Sequence, residues 1–118
     1  MPSDERIRSW LDDMDGAIRH VETFTEGMDF EAFSRDTKSK YAVLYALLTL
    51  SEASRRLPAD LKERHPEIPW RNVADIGNVY RHEYHRVSDA MLWRTVTEAL
   101  PPLRRTVADL RQAVGGQP

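Results

Sequence analysis

Apolar side chains recur three and four residues apart along almost the whole chain, the spacing that gathers them on one face of an α-helix. From about Ser3 to about Thr25 the stripe is Ile7, Trp10, Leu11, Met14, Ile18, Val21 and Phe24, with Ser3 placed to cap the helix start. Glu26-Gly27-Met28-Asp29 breaks this pattern, and Phe30 and Phe33 are expected to plug the connection onto the core. A second helix is predicted from Asp36 or Thr37 to about Leu57, stopped by Pro58. It is apolar almost all round between Ala42 and Leu50, so it belongs at the centre of a bundle or at a subunit interface. In a domain this small, such a helix favours a homodimer.

A short third helix, about Ala59 to Arg64, leads into His65-Pro66-Glu67-Ile68-Pro69, a connection stiffened by its two prolines. The fourth helix starts near Pro69 or Trp70 and is expected to turn Trp70, Val73, Ile76, Val79 and Tyr80 inward. Ser88 is placed to cap the last helix, whose predicted buried positions are Met91, Leu92, Val96 and Leu100. Pro101-Pro102 should kink or interrupt it before Leu103, Val107 and Leu110 resume the stripe, and residues 113–118 read as a flexible tail. Two-residue alternation and Asn-Gly or Asp-Gly turns are absent. The expected fold is therefore all-α, an up-and-down bundle of about five helices forming one domain over residues 1–118.

Composition narrows the class. With 41% hydrophobic and 31% charged residues the chain suits a soluble globular domain. The lack of cysteine excludes a disulfide framework, a thiolate nucleophile and a thiolate metal site. The charged N-terminus lacks the apolar run of a signal peptide, and the longest apolar stretch, about Tyr41 to Leu50, is too short to span a bilayer. A cytoplasmic protein without a membrane partner is the expectation. The net charge of −2 argues against a broad nucleic-acid-coating surface. The charge is uneven, however: residues 1–60 hold 8 Lys/Arg against 12 Asp/Glu, net −4, and residues 61–118 hold 9 against 7, net +2. An anion site is therefore expected in the second half, where Arg71, Arg81, Arg86 and Arg94 are the cations that could reach it.

That half contains the densest chemistry, Asn78-Val79-Tyr80-Arg81-His82-Glu83-Tyr84-His85. On a helix, Asn78, Arg81, His82 and His85 share one stripe, with Tyr84 on an adjacent face. An amide, a guanidinium and two imidazoles are costly to bury without partners, so the stripe is either solvated surface or a site. His82 can exchange protons near neutral pH, Arg81 offers a fork of donors suited to phosphate, and Asn78 can orient an imidazole or hold a substrate oxygen. His85 and Arg86 extend the set available to a phosphate or an RNA. Such a set suits phosphodiester cleavage in which an RNA 2′-hydroxyl attacks its own phosphate and the protein moves protons and stabilises charge. Neither a metal nor another cofactor is required. A metal reading of Asp75, Asn78, His82 and His85 is looser, because nothing in that spacing is specific to a ligand set. His20 and His65 read as surface and loop residues, and Trp10, Trp70 and Trp93 as core. Phosphate loops and nucleophile elbows are absent.

Taken in order, Met28-Asp29-Phe30-Glu31-Ala32-Phe33, Leu50-Ser51-Glu52-Ala53, Pro66-Glu67-Ile68-Pro69-Trp70, Asn78 through Tyr84, Leu92-Trp93 and Leu100-Pro101 resemble the HepT-like branch of the HEPN ribonuclease superfamily, over about Ile7 to Val107. The resemblance implies a dimeric all-α bundle whose fourth helices form a composite cleft. It implies a metal-independent endoribonuclease, the toxin of a type VII-like toxin–antitoxin pair. The antitoxin would be an MntA-like nucleotidyltransferase that silences the toxin by AMPylation of a tyrosine. Residue by residue, the motif histidine falls on His82, the modified tyrosine on Tyr84 and the polar residue after the motif arginine on Asn78. The chain departs from the pattern twice. Gly77 stands where the motif arginine is expected, with Arg81 on the neighbouring turn as its candidate replacement. Ser51 stands where the family has glycine, a change expected to have little effect. A close crossing of two fourth helices at a dimer axis would account for Gly77, since glycine permits close backbone approach. The alternative to a ribonuclease is a non-catalytic HEPN-type dimeric module that binds a nucleotidyltransferase; a metal-binding bundle ranks third.

Overall fold

Side-chain caps decide where several of the helices begin. Ser3 Oγ accepts the Arg6 N–H at 3.2 Å and starts α1, Asp4–Thr25. Asp29 accepts the Ala32 N–H at 2.8 Å and starts α2, Phe30–Arg35. Asp36 receives both the N–H and the hydroxyl of Ser39, at 3.3 and 2.8 Å, at the head of α3, Thr37–Arg56. Each cap satisfies donors that the first helical turn leaves without a partner. Gly27, at φ +76°, makes the turn between α1 and α2 in a conformation that disfavours side chains. The structure, a computed structural model, describes residues 2–82 and 87–115, with 79–82 and 115 described by backbone alone.

Pro58 ends α3 as expected, holding Leu57 in an extended conformation. α4, Ala59–Glu63, follows, then α5, Trp70–His82. Ser88 caps α6, Asp89–Arg94, by accepting the Met91 N–H at 3.1 Å. A π-helical turn, Thr95–Ala99, joins α6 to α7, Leu100–Gly115. The Pro101-Pro102 pair therefore neither breaks the helix nor stops it. Two missing N–H donors and two rings directed at the preceding carbonyls are accommodated by one widened turn immediately upstream. Among the described residues there is no strand, and the all-α expectation holds.

α3 is the central helix, packed against α1 on one side and α5 on the other, while α7 lies on the far side of α1. The core includes Leu11, Met14 and Ile18 from α1, Phe33 from α2, Val43, Leu47 and Leu50 from α3, and Val107 and Leu110 from α7. Phe33 packs on Trp93 with ring centroids 5.1 Å apart and planes tilted by 34°, so α2 is fastened to α6. Arg111 reaches Asp12 at 3.0 Å and Asp15 at 3.3 Å, and Arg104 reaches Glu22 at 3.1 Å, tying α7 to α1.

Several details correct the sequence-based picture. The Phe30/Phe33 connection is a short helix of its own, because Asp29 caps it and Phe33 anchors it. Phe24, Phe30 and Met91, expected inside, are exposed; of the two α2 rings only Phe33, three residues on, faces the core. The central helix also has an open face: Tyr41 is 70% and Tyr45 74% exposed. Trp10, Trp70 and Trp93 lie half-buried at the margin of the core. α7 carries helix through Ala113 and Val114 to Gly115, into the stretch expected as tail, with Val114 against the core.

Candidate functional site on helix α5

α5 carries three of the predicted site positions, and its placement comes from contacts on other helices. At its start, the Trp70 indole N–H donates to the carbonyls of Lys62 and His65, at 3.0 and 3.1 Å. Ile68 is buried beside this anchor. The Pro-rich connector is thus pinned at both ends, and the first turn of α5 has little freedom. Burial lowers the pKa of the Lys62 ammonium. The Glu67 carboxyl is held below its ordinary range by its own backbone N–H first and by His65 at 3.2 Å second.

Two further contacts hold the middle of α5 to α3. The Ser51 hydroxyl donates to the Ala74 carbonyl at 2.7 Å and accepts the Gly77 N–H at 2.9 Å. One turn along α3, Arg55 donates to the same Ala74 carbonyl through Nε at 3.1 Å and Nη2 at 2.9 Å. Ser51 is only 1% exposed, and Gly77 is buried. The two positions read from the sequence as departures, 51 and 77, therefore touch each other. This gives Gly77 a reason inside the chain: it packs against α3. It also corrects the expectation that serine at 51 matters little, because its hydroxyl is the pin between the two helices.

Neither Ser51 nor Arg55 was among the predicted site residues. The signal that could have found them is their own four-residue spacing on one face of α3, but no local pattern says that this face meets α5.

Beyond Gly77, α5 continues as helix through Asn78, Arg81 and His82, positions related by three and four residues and therefore neighbours on one face of the helix. Asn78 is exposed. The side chains of Arg81 and His82, those of Val79 and Tyr80 expected to turn inward, and the whole of Tyr84, His85 and Arg86, lie outside the described residues. Of the other cations named from the sequence, Arg71 and Arg94 are exposed, the first at the opposite end of α5. His20 is exposed and stacks on Phe24, and His65 pairs with Glu67, so neither joins this site. Among the described residues no group of three His, Asp or Glu side chains is placed to hold a metal, and no helix is long and apolar enough to cross a membrane. A groove of about 440 Å³ between α1 and α3, lined by Asp13, His20, Phe24 and Tyr45 among others, shares no residue with α5.

Comparison with known proteins agrees with this architecture. Residues 14–110 match the family model described as "Ribonuclease HepT-like". A protein of Thermococcus cleftensis named "Probable ribonuclease HepT" is 40% identical over 105 residues, covering 89% of this chain and 96% of the relative. Proteins named "Putative RNase" from Methanocaldococcus jannaschii and Caldanaerobacter subterraneus are each 30% identical, over 86% and 74% of this chain and 93% and 78% of their own lengths. No solved structure matches significantly. With a family match across most of its length and an all-helical fold that agrees with it, the chain belongs to the HepT-like ribonucleases of the HEPN superfamily.

Proposed function

We propose that this chain is a metal-independent endoribonuclease that acts as the toxin of a toxin–antitoxin pair and works as a homodimer, with α5 of each copy lining a shared cleft. The observation that carries the reading is the run Asn78, Arg81, His82 along one helical face of α5, in a member of a ribonuclease family. In this reaction the substrate supplies its own nucleophile. The 2′-oxygen of a ribose bonds to the adjacent phosphorus, the bond from phosphorus to the 5′-oxygen breaks, and the RNA ends in a cyclic phosphate. The 2′-proton must leave and the departing 5′-oxygen must gain one, and His82 is assigned to this proton transfer. Arg81 and Asn78 donate to the phosphate oxygens as charge builds on them, with His85 and Arg86 extending the contact along the RNA. Tyr84 is the proposed point of control: an MntA-like nucleotidyltransferase would transfer AMP from ATP to its hydroxyl, releasing pyrophosphate and placing a bulky anion beside His82.

The test is cleavage of a structured RNA in EDTA by the purified protein, with His82→Ala alongside. Cutting by the wild type, lost in a folded His82→Ala protein, is the expected result. Equal cutting by both would remove His82 from the mechanism. One observation favours a second reading, a dimeric module that binds a nucleotidyltransferase without cutting RNA: Gly77 at the place of the motif arginine. Absence of cutting by folded wild-type protein would select it.

A further inference from the structure

We propose that Arg55, carried by α3, is the phosphate-binding cation of the α5 site, standing where residue 77 has no side chain to offer. The assignment rests on the ribonuclease reading for its substrate, and on geometry for its location. In a helix, the carbonyl of one residue is reached by the γ-oxygen of the residue three or four positions later. This chain does so repeatedly: Thr95 donates to the Met91 carbonyl at 3.0 Å, Thr97 to that of Trp93 at 2.9 Å and Ser54 to that of Ser51 at 2.7 Å. A group bonded to the Ala74 carbonyl therefore stands beside the γ-positions of residues 77 and 78. Arg55 is bonded there through two nitrogens, which fixes the guanidinium as well as placing it. Glycine at 77 brings no side chain of its own to that place, and its N–H is held by the Ser51 hydroxyl.

The charge is available as well as located. Arg55 spends two of the five N–H donors of a guanidinium on a neutral carbonyl, leaving three and the full positive charge. Among the described residues no carboxylate pairs with it, whereas the adjacent Arg56 is held by Glu52 at 3.0 Å. Arg55 is exposed. Its guanidinium lies at the level of residue 77, five residues or about 7.5 Å along the helix axis from His82. Arg81 immediately precedes His82, so both arginines would lie on its N-terminal side, one carried by α3 and one by α5.

Arg55→Ala and Arg55→Lys test this by cleavage in EDTA and by binding of an uncleavable 2′-O-methyl RNA across a salt series. The Ala74 carbonyl keeps the Ser51 hydroxyl in both variants, so folding should be little affected, and a thermal melt checks it. Expected for Arg55→Ala is at least a ten-fold fall in kcat/KM, with a slope of log K against log salt that is about 0.7 shallower, the loss of one single-strand phosphate contact. Arg55→Lys should recover the slope and only part of the rate, because lysine keeps the charge and loses the fork. Adding Ser51→Gly and Gly77→Arg to Arg55→Ala should restore cleavage by returning a guanidinium to the same place. Wild-type kcat/KM and slope in folded Arg55→Ala, with His82→Ala inactive, would overturn the assignment and leave the ribonuclease reading standing. If the wild type does not cut, the salt slope still decides: an unchanged slope overturns the role of Arg55, and a shallower one supports it in a protein that binds RNA without cleaving it.

Discussion

Replacing Ser51 with alanine removes one hydroxyl and, on this structure, unpins two helices. Ser51 is 1% exposed and bridges the Ala74 carbonyl and the Gly77 N–H. After substitution the carbonyl is still served by Arg55, but both hydrogen bonds of the Ser51 hydroxyl across the helix pair are lost. At about 1 kcal/mol for each buried hydrogen bond, this costs about 2 kcal/mol. Alanine returns about 0.5 kcal/mol through its better helix propensity. The net expectation is a loss of about 1.5 kcal/mol. An unfolding entropy of about 2.1 cal/mol/K per residue converts this, over a chain of 118 residues, into a fall in Tm of about 6 °C. Ser54→Ala is the matched control, since Ser54 is equally buried but donates only to the Ser51 carbonyl of its own helix. Its Tm should stay within about 2 °C of wild type, because a back-bond within one helix is close to neutral. Thermal unfolding followed by circular dichroism measures both. A Tm for Ser51→Ala at or above that of Ser54→Ala would refute the view that this hydroxyl holds α5 in place.

Other expectations follow from the same contacts. Phe33→Ala removes a fully buried ring packed on Trp93 and should cost about 3–5 kcal/mol in urea unfolding; a loss no larger than that of an exposed site would show that α2 is not part of the core. Asp36 has a pKa held below the ordinary carboxylate value by the Ser39 hydroxyl first and the Ser39 backbone N–H second. Its stabilising effect is therefore complete above about pH 4, the ordinary carboxylate value, and is lost as pH falls through the lower folded-state value. The gap in urea midpoint between wild type and Asp36→Ala should accordingly narrow from pH 7 to about pH 3; a gap independent of pH would rule out an ionised cap. Arg111→Ala breaks the pairs with Asp12 and Asp15 and should lower Tm in dilute buffer, with the difference shrinking in about 1 M salt. A difference that salt leaves unchanged would assign the loss to packing of the arginine stem instead.

The sequence alone determined the parts of this protein that depend on near neighbours in the chain. Helix formation follows from three- and four-residue spacing, and helix starts from Ser3, Asp36 and Ser88, whose partners lie three residues away. The stop at Pro58 is equally local, as is the helical relation of Asn78, Arg81 and His82 once α5 is granted. Local signals failed where competing effects were of similar size. The six-residue α2 is too short for periodicity to reveal and depends on a cap and one buried ring. The proline pair could have broken the last helix, but a single π-turn absorbs it. Tertiary structure alone decided which faces meet. Ser51 and Gly77 are 26 residues apart, and each is unremarkable on its own stretch of helix. Only the packing of α3 on α5 turns one into a buried acceptor for the other, and brings the Arg55 guanidinium onto the Ala74 carbonyl of α5. A hydrogen bond across two helices depends on where each helix lies in space, and that is set by the burial of the whole core, not by the residues on either side of the contact.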